Sequence, residues 1–327
     1  MNLKNILKWT MAVAMSVFLV FIMLSRVKIE DIISTLANAN LLYLAIFFLL
    51  YVLLMVLRTV RFTMVLKNKM SFRQMLPVVL LQNLLLNLIP FRIGELSYIY
   101  YVKKIGKQSY HKGISTLVIT KVFDLSILII FFVISVFSLH LASSGFGQSV
   151  PYLVALLAMM FLALILLIYQ QGIIIRIVEV FEKIALKIST RLSFFTEQVK
   201  TLVNSFEEFK SPKMLAAIFI QSVLIMSVSM ACFYFTVNAL GFSIPLNVLI
   251  IGSTFGVLSN LIPVNGIAGF GTVEGVWVLV LTFFGYPLES AIVLSFSLHI
   301  IQLISISIMG SVGWLKLNAL QSSEKAR

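Results

Sequence analysis

Two charged residues interrupt one of the long apolar runs of the chain. Lys121 and Asp124 are three positions apart within residues 113–139, so on a helix they share one face. Ionisable groups inside apolar segments are costly in a bilayer and usually face a partner or a cavity. Two interpretations stay open. The pair is a structural unit whose charges cancel, or it is a headgroup or proton site where Lys121 contacts a phosphate and Asp124 holds it in place.

A second set of polar residues follows a sequence that occurs twice, Asn-Leu-Ile-Pro at 87–90 and at 260–263. Proline breaks a helix, so both apolar stretches end there. After the first break, Arg92 offers a planar fork suited to phosphate, beside the free N–H groups of a new helix. The alternative is an Arg92–Glu95 pair that simply ties the turn.

The second break opens a glycine-rich turn that contains Gly269 and Gly271. Glycine allows positive φ and a close approach of the backbone to a ligand. Glu274 stands at the start of the next predicted helix, where it caps that helix or serves as a protonatable carboxylate that couples transport to a proton gradient. His299, in the last apolar run, is either a hydrogen-bonded structural residue or part of a site.

The composition shows which kind of protein must position these residues. The chain has 327 residues, of which 60% are hydrophobic and only 11% charged, against about 25% charged in an ordinary soluble domain. A soluble enzyme, a DNA-binding domain and a disordered chain therefore fit this composition poorly. The net charge of +13 fits cytoplasmic loops that face anionic lipid rather than nucleic acid. The single cysteine, Cys232, excludes an intramolecular disulfide and a cysteine-based zinc site.

Several apolar runs are long enough to cross a membrane, which takes about 20 residues. The first resembles a secretory signal, but no small-residue cleavage site follows it, so we interpret it as a retained span. The predicted spans are residues 9–25, 41–57, 113–139, 151–169, 214–239 and 290–315.

The distribution of positive charge predicts the orientation, because Lys and Arg concentrate in cytoplasmic loops. All but three of the 25 Lys and Arg residues lie in the N-terminus, in 58–73, 92–112 and 170–213, or in the tail. Since basic loops flank the stretch 75–90 on both sides, it cannot cross, and we predict that it returns through 93–102 as a re-entrant hairpin open to the cytoplasm. The stretch 247–262, preceded by an uncharged turn, predicts a second hairpin open to the outside that returns through 273–284.

One sequence shift relates the two halves of the chain. A shift of 173 carries Asn87 to Asn260 and also carries Leu41, where one span begins, to Met214, where another begins. With hairpins open to opposite sides, this predicts an inverted repeat, a common transporter architecture. We therefore expect an all-α polytopic membrane protein with about six full spans and two re-entrant helical hairpins. It forms one integral membrane domain, 1–327, with repeats at about 1–140 and 150–320, and residues 170–213 form either an amphipathic connector on the inner leaflet or a plain one.

The ordered set of motifs resembles the lysylphosphatidylglycerol synthase transmembrane family, also called flippase-like membrane proteins, over essentially the whole chain. The resemblance implies the lipid-flipping half of a synthase of aminoacylated phosphatidylglycerol, or a role with polyprenyl-phosphate sugars. It also implies a stand-alone member without synthase activity, since no aminoacyl-transfer domain follows. Many relatives are expected to carry Arg where this chain has Lys121 and His299. The motifs are Asn87-x-x-Pro90-x-Arg92-x-Gly94-Glu95, Arg58-x-x-Arg61, Lys121-x-x-Asp124 and Pro263…Gly269-x-Gly271-x-x-Glu274.

Together these features favour a flippase or transporter of an anionic phospholipid or polyprenyl-phosphate-linked lipid in the cytoplasmic membrane, with both termini cytoplasmic. A non-transporting accessory protein for a lipid- or glycan-modifying enzyme, and an intramembrane lipid-headgroup transferase, are the alternatives. We expect no enzyme activity, metal or cofactor, and membrane lipids rather than nucleic acid as partners. The expected headgroup-binding residues are Asn87, Arg92, Glu95, Lys121, Asp124, Asn260, Asn265, Gly269, Gly271, Glu274 and His299, with Arg58 and Arg61 as interfacial phosphate contacts.

Overall fold

A computed structural model describes residues 17–89, 94–141, 143–185, 191–259 and 267–325 of the chain. Within these ranges every regular element is a helix, as the sequence predicts. The helices are α1 (17–24), α2 (Ile29–Ala37), α3 (Leu41–Val65), α4 (Phe72–Leu88), α5 (Gly94–Lys104), α6 (Tyr110–Ser138), α7 (Gly145–Tyr169), α8 (Gln171–Ala185), α9 (Arg191–Ser205), α10 (Pro212–Ala239), α11 (Leu246–Ser259), α12 (Thr272–Phe283) and α13 (Leu288–Lys325).

Five helices, α3, α6, α7, α10 and α13, are long and apolar enough to cross a membrane. They correspond to five of the six predicted spans. The sixth, 9–25, is described only from residue 17, where α1 is helical. The helix α3 extends to Val65, beyond the predicted end at residue 57, and begins where the Asn40 side chain accepts hydrogen bonds from the N–H groups of Leu42 and Tyr43.

The helices α3 and α10 form an antiparallel pair. The N–H of Asn40 donates to the carbonyl of Ala239 at 2.7 Å, and the Tyr43 and Phe235 rings are 6.0 Å apart. Further along, Arg61 reaches Ser222. The start of α3 therefore lies beside the end of α10, and these are the two helices that the repeat predicts as counterparts.

Two pairs of shorter helices, α4 with α5 and α11 with α12, pack side by side. The helices α4 and α5 approach so closely that a Cβ on Gly94 would lie 2.2 Å from the backbone nitrogen of Leu86. The pairs begin at opposite ends of α6. Glu208, close to the start of α6, binds Lys67 just before α4, whereas Asn247 at the start of α11 binds Ser138 at the end of α6.

The predicted connector contains two helices, α8 and α9, followed by the short 3-10 helix Phe206–Phe209. Glu182 of α8 accepts hydrogen bonds from Lys200 at 2.7 Å and Thr196 at 2.9 Å. The bond from Lys200, assisted by Thr196, lowers the pKa of Glu182. The apolar side of α8 is exposed along one face, at Ile173, Ile177, Val180 and Phe181.

Candidate functional site: charged pairs inside the bundle

Arg61 of α3 is a buried cation, 3% exposed, whose side chain contacts both α6 and α10. Its Nη2 donates to Oδ2 of Asp124 on α6 at 2.8 Å, and its Nη1 bonds the other carboxylate oxygen and Ser222 Oγ of α10. This two-armed contact is the strongest geometry that an Arg–carboxylate pair can take. Asp124 stands at the centre of α6 and its side chain is 31% exposed, so the pair lies halfway along the bundle with its carboxylate partly accessible.

Arg58, one turn earlier on α3, has a different environment. Its Nη1 donates to Oδ1 of Asn83 on α4 at 3.1 Å, and Nδ2 of Asn83 donates to the Tyr51 hydroxyl at 2.6 Å. Both partners are uncharged. The sequence predicts Arg58 and Arg61 as contacts at the membrane surface. In the structure both side chains instead point into the bundle, because α3 continues beyond them and polar side chains of neighbouring helices bind them.

Lys121 forms an ion pair with Glu95, which lies at the start of α5. The expected Lys121–Asp124 pair is therefore wrong, because each residue finds its partner on a neighbouring helix rather than on its own. The two side chains are 37% and 23% exposed, so the pair borders an opening instead of being sealed. In a bilayer, ionisable groups with this exposure face a polar cavity rather than lipid.

Glu274 and His299 form the corresponding contact in the second half. Glu274 is fully buried, its Oε1 lies 2.5 Å from Nδ1 of His299, and its Oε2 accepts from the N–H of Gly271 at 2.7 Å. Glu274 therefore caps α12, one of the two roles that the sequence left open, and it also contacts His299, while its role as a protonatable carboxylate in proton coupling stays a prediction. Gly269 and Gly271 have φ of 79° and 86°, which the turn before α12 requires and which other residues rarely adopt.

The two pairs occupy equivalent places. In each half, a carboxylate at the start of the second short helix contacts a basic side chain on the long helix that follows. Glu95 and Glu274 are 179 positions apart, and Lys121 and His299 are 178 apart, so the shifts that relate the two members differ by one position. This match extends the repeat beyond the twin Asn-Leu-Ile-Pro segments.

The remaining expected site residues are dispersed. Asn87 is exposed near the end of α4, and its Nδ2 donates to the carbonyl of Asn83 on its own helix. Gly269 lies within 4 Å of the His299 ring, measured from the position of an added Cβ. Arg92, Asn260 and Asn265 lie outside the described residues, and the alternative Arg92–Glu95 pair is therefore not tested.

Three polar residues of the site did not stand out in the sequence: Tyr51, Asn83 and Ser222. Asn83 could have been found, since Gln82-Asn83 is a polar step within an otherwise apolar stretch of α4. Ser222 and Tyr51 are residue types that are common in apolar helices, and only their contacts with Asn83 and Arg61 distinguish them.

The cluster formed by the first half carries a surplus of positive charge. Among its described residues are three cations, Arg58, Arg61 and Lys121, and two carboxylates, Glu95 and Asp124. Isolated charge is expensive in a low-dielectric interior, and a bound anion reduces this cost. The arrangement is thus suited to a ligand with a negative charge.

A pocket of about 410 Å³ opens elsewhere, where α2, α3 and α10 meet. Uncharged polar residues line it, and none of the residues predicted for the headgroup site is among them. Its lining includes Ser34, Thr35, Asn38, Asn40 and Asn238.

Comparison with known proteins gives one match. The model of a family described as "Lysylphosphatidylglycerol synthase TM region" matches residues 9–310. No curated protein and no solved structure matches the chain. The matched range covers α1 through most of α13, and so includes every charged pair described above.

Proposed function

Because the chain belongs to the lysylphosphatidylglycerol synthase transmembrane family, whose members are membrane proteins linked to lipid biology, we propose that it carries an anionic lipid across the cytoplasmic membrane. The proposed substrate is a phospholipid or a polyprenyl-phosphate-linked lipid. It is bound by its phosphate, and the chain acts as a transporter rather than as an enzyme.

The proposed topology places the two short helix pairs as re-entrant hairpins. The helices α5, α11 and α12 have 11, 14 and 12 residues, about 16 to 21 Å, which is less than the roughly 30 Å of a hydrocarbon core. The pairs start at opposite ends of α6, and basic loops border the first of them. These observations support hairpins that enter from opposite faces, with both termini in the cytoplasm.

Packing between the halves supports the inverted repeat. The first short helix of each pair packs against the long helix of the other half: α4 against α13, and α11 against α6. The counterpart helices α3 and α10 are antiparallel, as an axis in the membrane plane requires. In this proposal, rocking of one half against the other opens the site to each face in turn.

The observation that carries the proposal is the surplus cation of the first-half cluster. Arg58 hydrogen-bonds the neutral side chain of Asn83, and it shares the negative charge of Asp124 with Arg61, which binds that carboxylate directly. Its guanidinium is therefore the group on which we expect the phosphate to bind. The exposed edges of Lys121, Glu95 and Asp124 mark the route by which the headgroup reaches it, while the lipid tails stay in the bilayer.

The test is translocation of a fluorescent anionic lipid in liposomes that contain the purified protein. Fluorescent phosphatidylglycerol and a fluorescent polyprenyl phosphate are compared, and dithionite bleaches the lipid that reaches the outer leaflet. We expect the wild-type protein to move at least one of them. Arg58→Gln can keep a hydrogen bond to Asn83 but removes the surplus charge. It should reduce the translocation rate at least tenfold, which corresponds to about 1.4 kcal/mol of activation free energy.

The matched control is the double variant R61M/D124L. It removes one cation and one carboxylate together, so the charge surplus remains, and it should lose less of the translocation than Arg58→Gln does. If folded wild-type protein moves no anionic lipid faster than empty liposomes do, the proposal is wrong. If R58Q and wild type transport equally, Arg58 is not the phosphate-binding group.

A further inference from the structure

The two equivalent ion pairs differ in one respect that affects their charge. In the first half, the basic member is Lys121, which keeps its positive charge at neutral pH. In the second half, it is His299, the residue type that gains and loses a proton most readily in the physiological range. The same position in the repeat thus holds a fixed charge in one half and a variable charge in the other.

The contact geometry identifies the atom where the charge changes. Nδ1 of His299 and Oε1 of Glu274 are 2.5 Å apart, a distance that requires a hydrogen between them, so with Glu274 ionised Nδ1 donates to the carboxylate. The other ring nitrogen, Nε2, then decides the charge. It faces the turn before α12, since an added Cβ on Gly269 would lie 3.8 Å from it, and the Phe270 ring packs 4.7 Å from the imidazole.

Burial makes the two charge states unequal. Glu274 is 0% exposed and His299 is 6% exposed. With Nε2 unprotonated, the pair leaves a net negative charge in the interior, which the Gly271 N–H and the start of α12 stabilise among the described residues. With Nε2 protonated, the pair is neutral overall, as the Lys121–Glu95 pair is.

The described helices that pack around this pair carry few other charged groups. The helix α11 carries none, and α10 carries Lys213 at its start with the thiol of Cys232 and the phenol of Tyr234 further along. The nearest charge on α13 itself is Glu289, ten residues or about 15 Å from His299. The remaining charged groups are Glu30 and Asp31 in the first turn of α2, Arg73 in the first turn of α4, and Lys316, Glu324 and Lys325 in the last ten residues of α13.

We propose that the Glu274–His299 pair is a proton-binding site, loaded at Nε2 of His299, and that loading it strengthens the binding of the anionic headgroup. The inference rests on the proposed function. Protonation removes a buried negative charge that repels an anion, so anion affinity rises as pH falls. By linkage, binding of the anion draws one proton from solution onto the pair. Proton and lipid therefore bind together.

The experiment measures binding of short-chain fluorescent phosphatidylglycerol to the full-length protein in phosphatidylcholine nanodiscs, between about pH 5 and pH 8, where histidine changes its charge. Wild-type affinity should rise about tenfold toward low pH, within the usual range for coupling between sites. Calorimetry in buffers of different ionisation enthalpy should show uptake of a proton on binding. His299→Lys, which copies the first half, should bind tightly at every pH, and His299→Asn weakly at every pH.

The controls come from the composition, since the chain has only three histidines. His111→Gln and His140→Gln should leave the pH dependence unchanged. Equal pH dependence in wild type, H299K and H299N would overturn the inference.

Proton binding can also be read without any lipid. The wild-type protein should give an imidazole NMR signal that moves with pH and that H299N removes, and a signal insensitive to pH would overturn the inference by itself. If instead this signal moves with pH but no anionic lipid binds at any pH, the proposed function fails while the proton site stands.

Discussion

Both carboxylate oxygens of Asp124 accept hydrogen bonds from the guanidinium of Arg61, although the two residues are 63 positions apart in the chain. Because Arg61 is 3% exposed, loss of the carboxylate leaves a buried charge without its counterion. We expect Asp124→Asn to lower the free energy of unfolding by about 3–5 kcal/mol. Unfolding in detergent, followed by circular dichroism, measures the change.

The double variant R61M/D124L removes both charges of the pair. It therefore separates the loss of the hydrogen bonds from the effect of an unpaired buried charge. Apolar residues of similar volume often replace a buried ion pair without loss of stability. The double variant should therefore be more stable than Asp124→Asn alone. A double variant as unstable as the single one would show that the helices depend on the hydrogen bonds of the pair, and not on its charge balance.

The Lys121–Glu95 pair should hold α5 against α6. It is partly exposed, so breaking it should cost more than the roughly 1 kcal/mol of a surface pair and less than the 3–5 kcal/mol of a buried one. We expect Glu95→Gln and Lys121→Met each to speed amide hydrogen exchange in α5. The reversed pair E95K/K121E should restore most of the protection, and a reversed variant that exchanges as fast as the singles would contradict this role.

Gly94 is required where α5 approaches α4. A Cβ there would lie 2.2 Å from the Leu86 nitrogen and 2.3 Å from the Leu85 carbonyl carbon, and backbone atoms cannot rotate aside. We expect Gly94→Ala to lower the free energy of unfolding by about 1–3 kcal/mol or more, since this is the usual cost of overpacking. Gly275→Ala is the control, because nothing lies within 4 Å of its added Cβ. It should be neutral or slightly stabilising in α12, and equal loss in both variants would refute the steric argument.

Glu208 attaches the connector to the start of α6. Burial raises the pKa of Glu208, but the hydrogen bond and the charge of Lys112, together with Lys67, outweigh it and leave that pKa below its ordinary value. A carboxylate whose pKa is lower in the folded state than in the unfolded state stabilises the folded state at pH values above its unfolded-state pKa. This stabilisation is lost as the pH falls through the folded-state pKa. Protection of residues 206–209 from hydrogen exchange should therefore fall in acid.

Lys112→Ala should reduce that protection at neutral pH by up to about 1 kcal/mol, since the carboxylate is partly exposed. Lys210→Ala is the comparison, because Lys210 bonds the more exposed Glu207 three residues away, and it should change little. If translocation survives both variants, the connector is not essential to transport. Loss of function with lipid binding intact would favour the accessory-protein interpretation.

The sequence is sufficient to predict the helices and their burial in a membrane, because hydropathy and helix breaks are local properties. The stretch 41–57 was predicted as a span on its apolar residues alone, and the structure extends it to Val65. The extension carries Arg58 and Arg61, whose charge suggests a boundary when the chain is read by itself. Whether a charged residue ends a helix depends on partners that lie elsewhere in the chain.

The pairings inside the bundle could not be predicted in the same way. Arg61 meets Ser222 across 161 positions, and no spacing rule connects them. Lys121 and Asp124 fit the local i, i+3 rule, but tertiary packing gives each a better partner on another helix. The Glu274–His299 contact comes nearest to being predictable from the sequence. The repeat relates Glu274 to Glu95 and His299 to Lys121, so a contact known in one half predicts the contact in the other.

The proposed transport mechanism requires that the two short helix pairs enter the bilayer from opposite faces. Cys232 is the only cysteine and is buried, so Cys232→Ala provides a background for single-cysteine labelling. Asn68 and Lys107 flank the first pair, and Ser243 and Pro287 flank the second; all four are exposed. We predict that a membrane-impermeant maleimide labels N68C and K107C only from the cytoplasmic side, and S243C and P287C only from outside. Labelling of N68C and K107C from different sides would contradict the account.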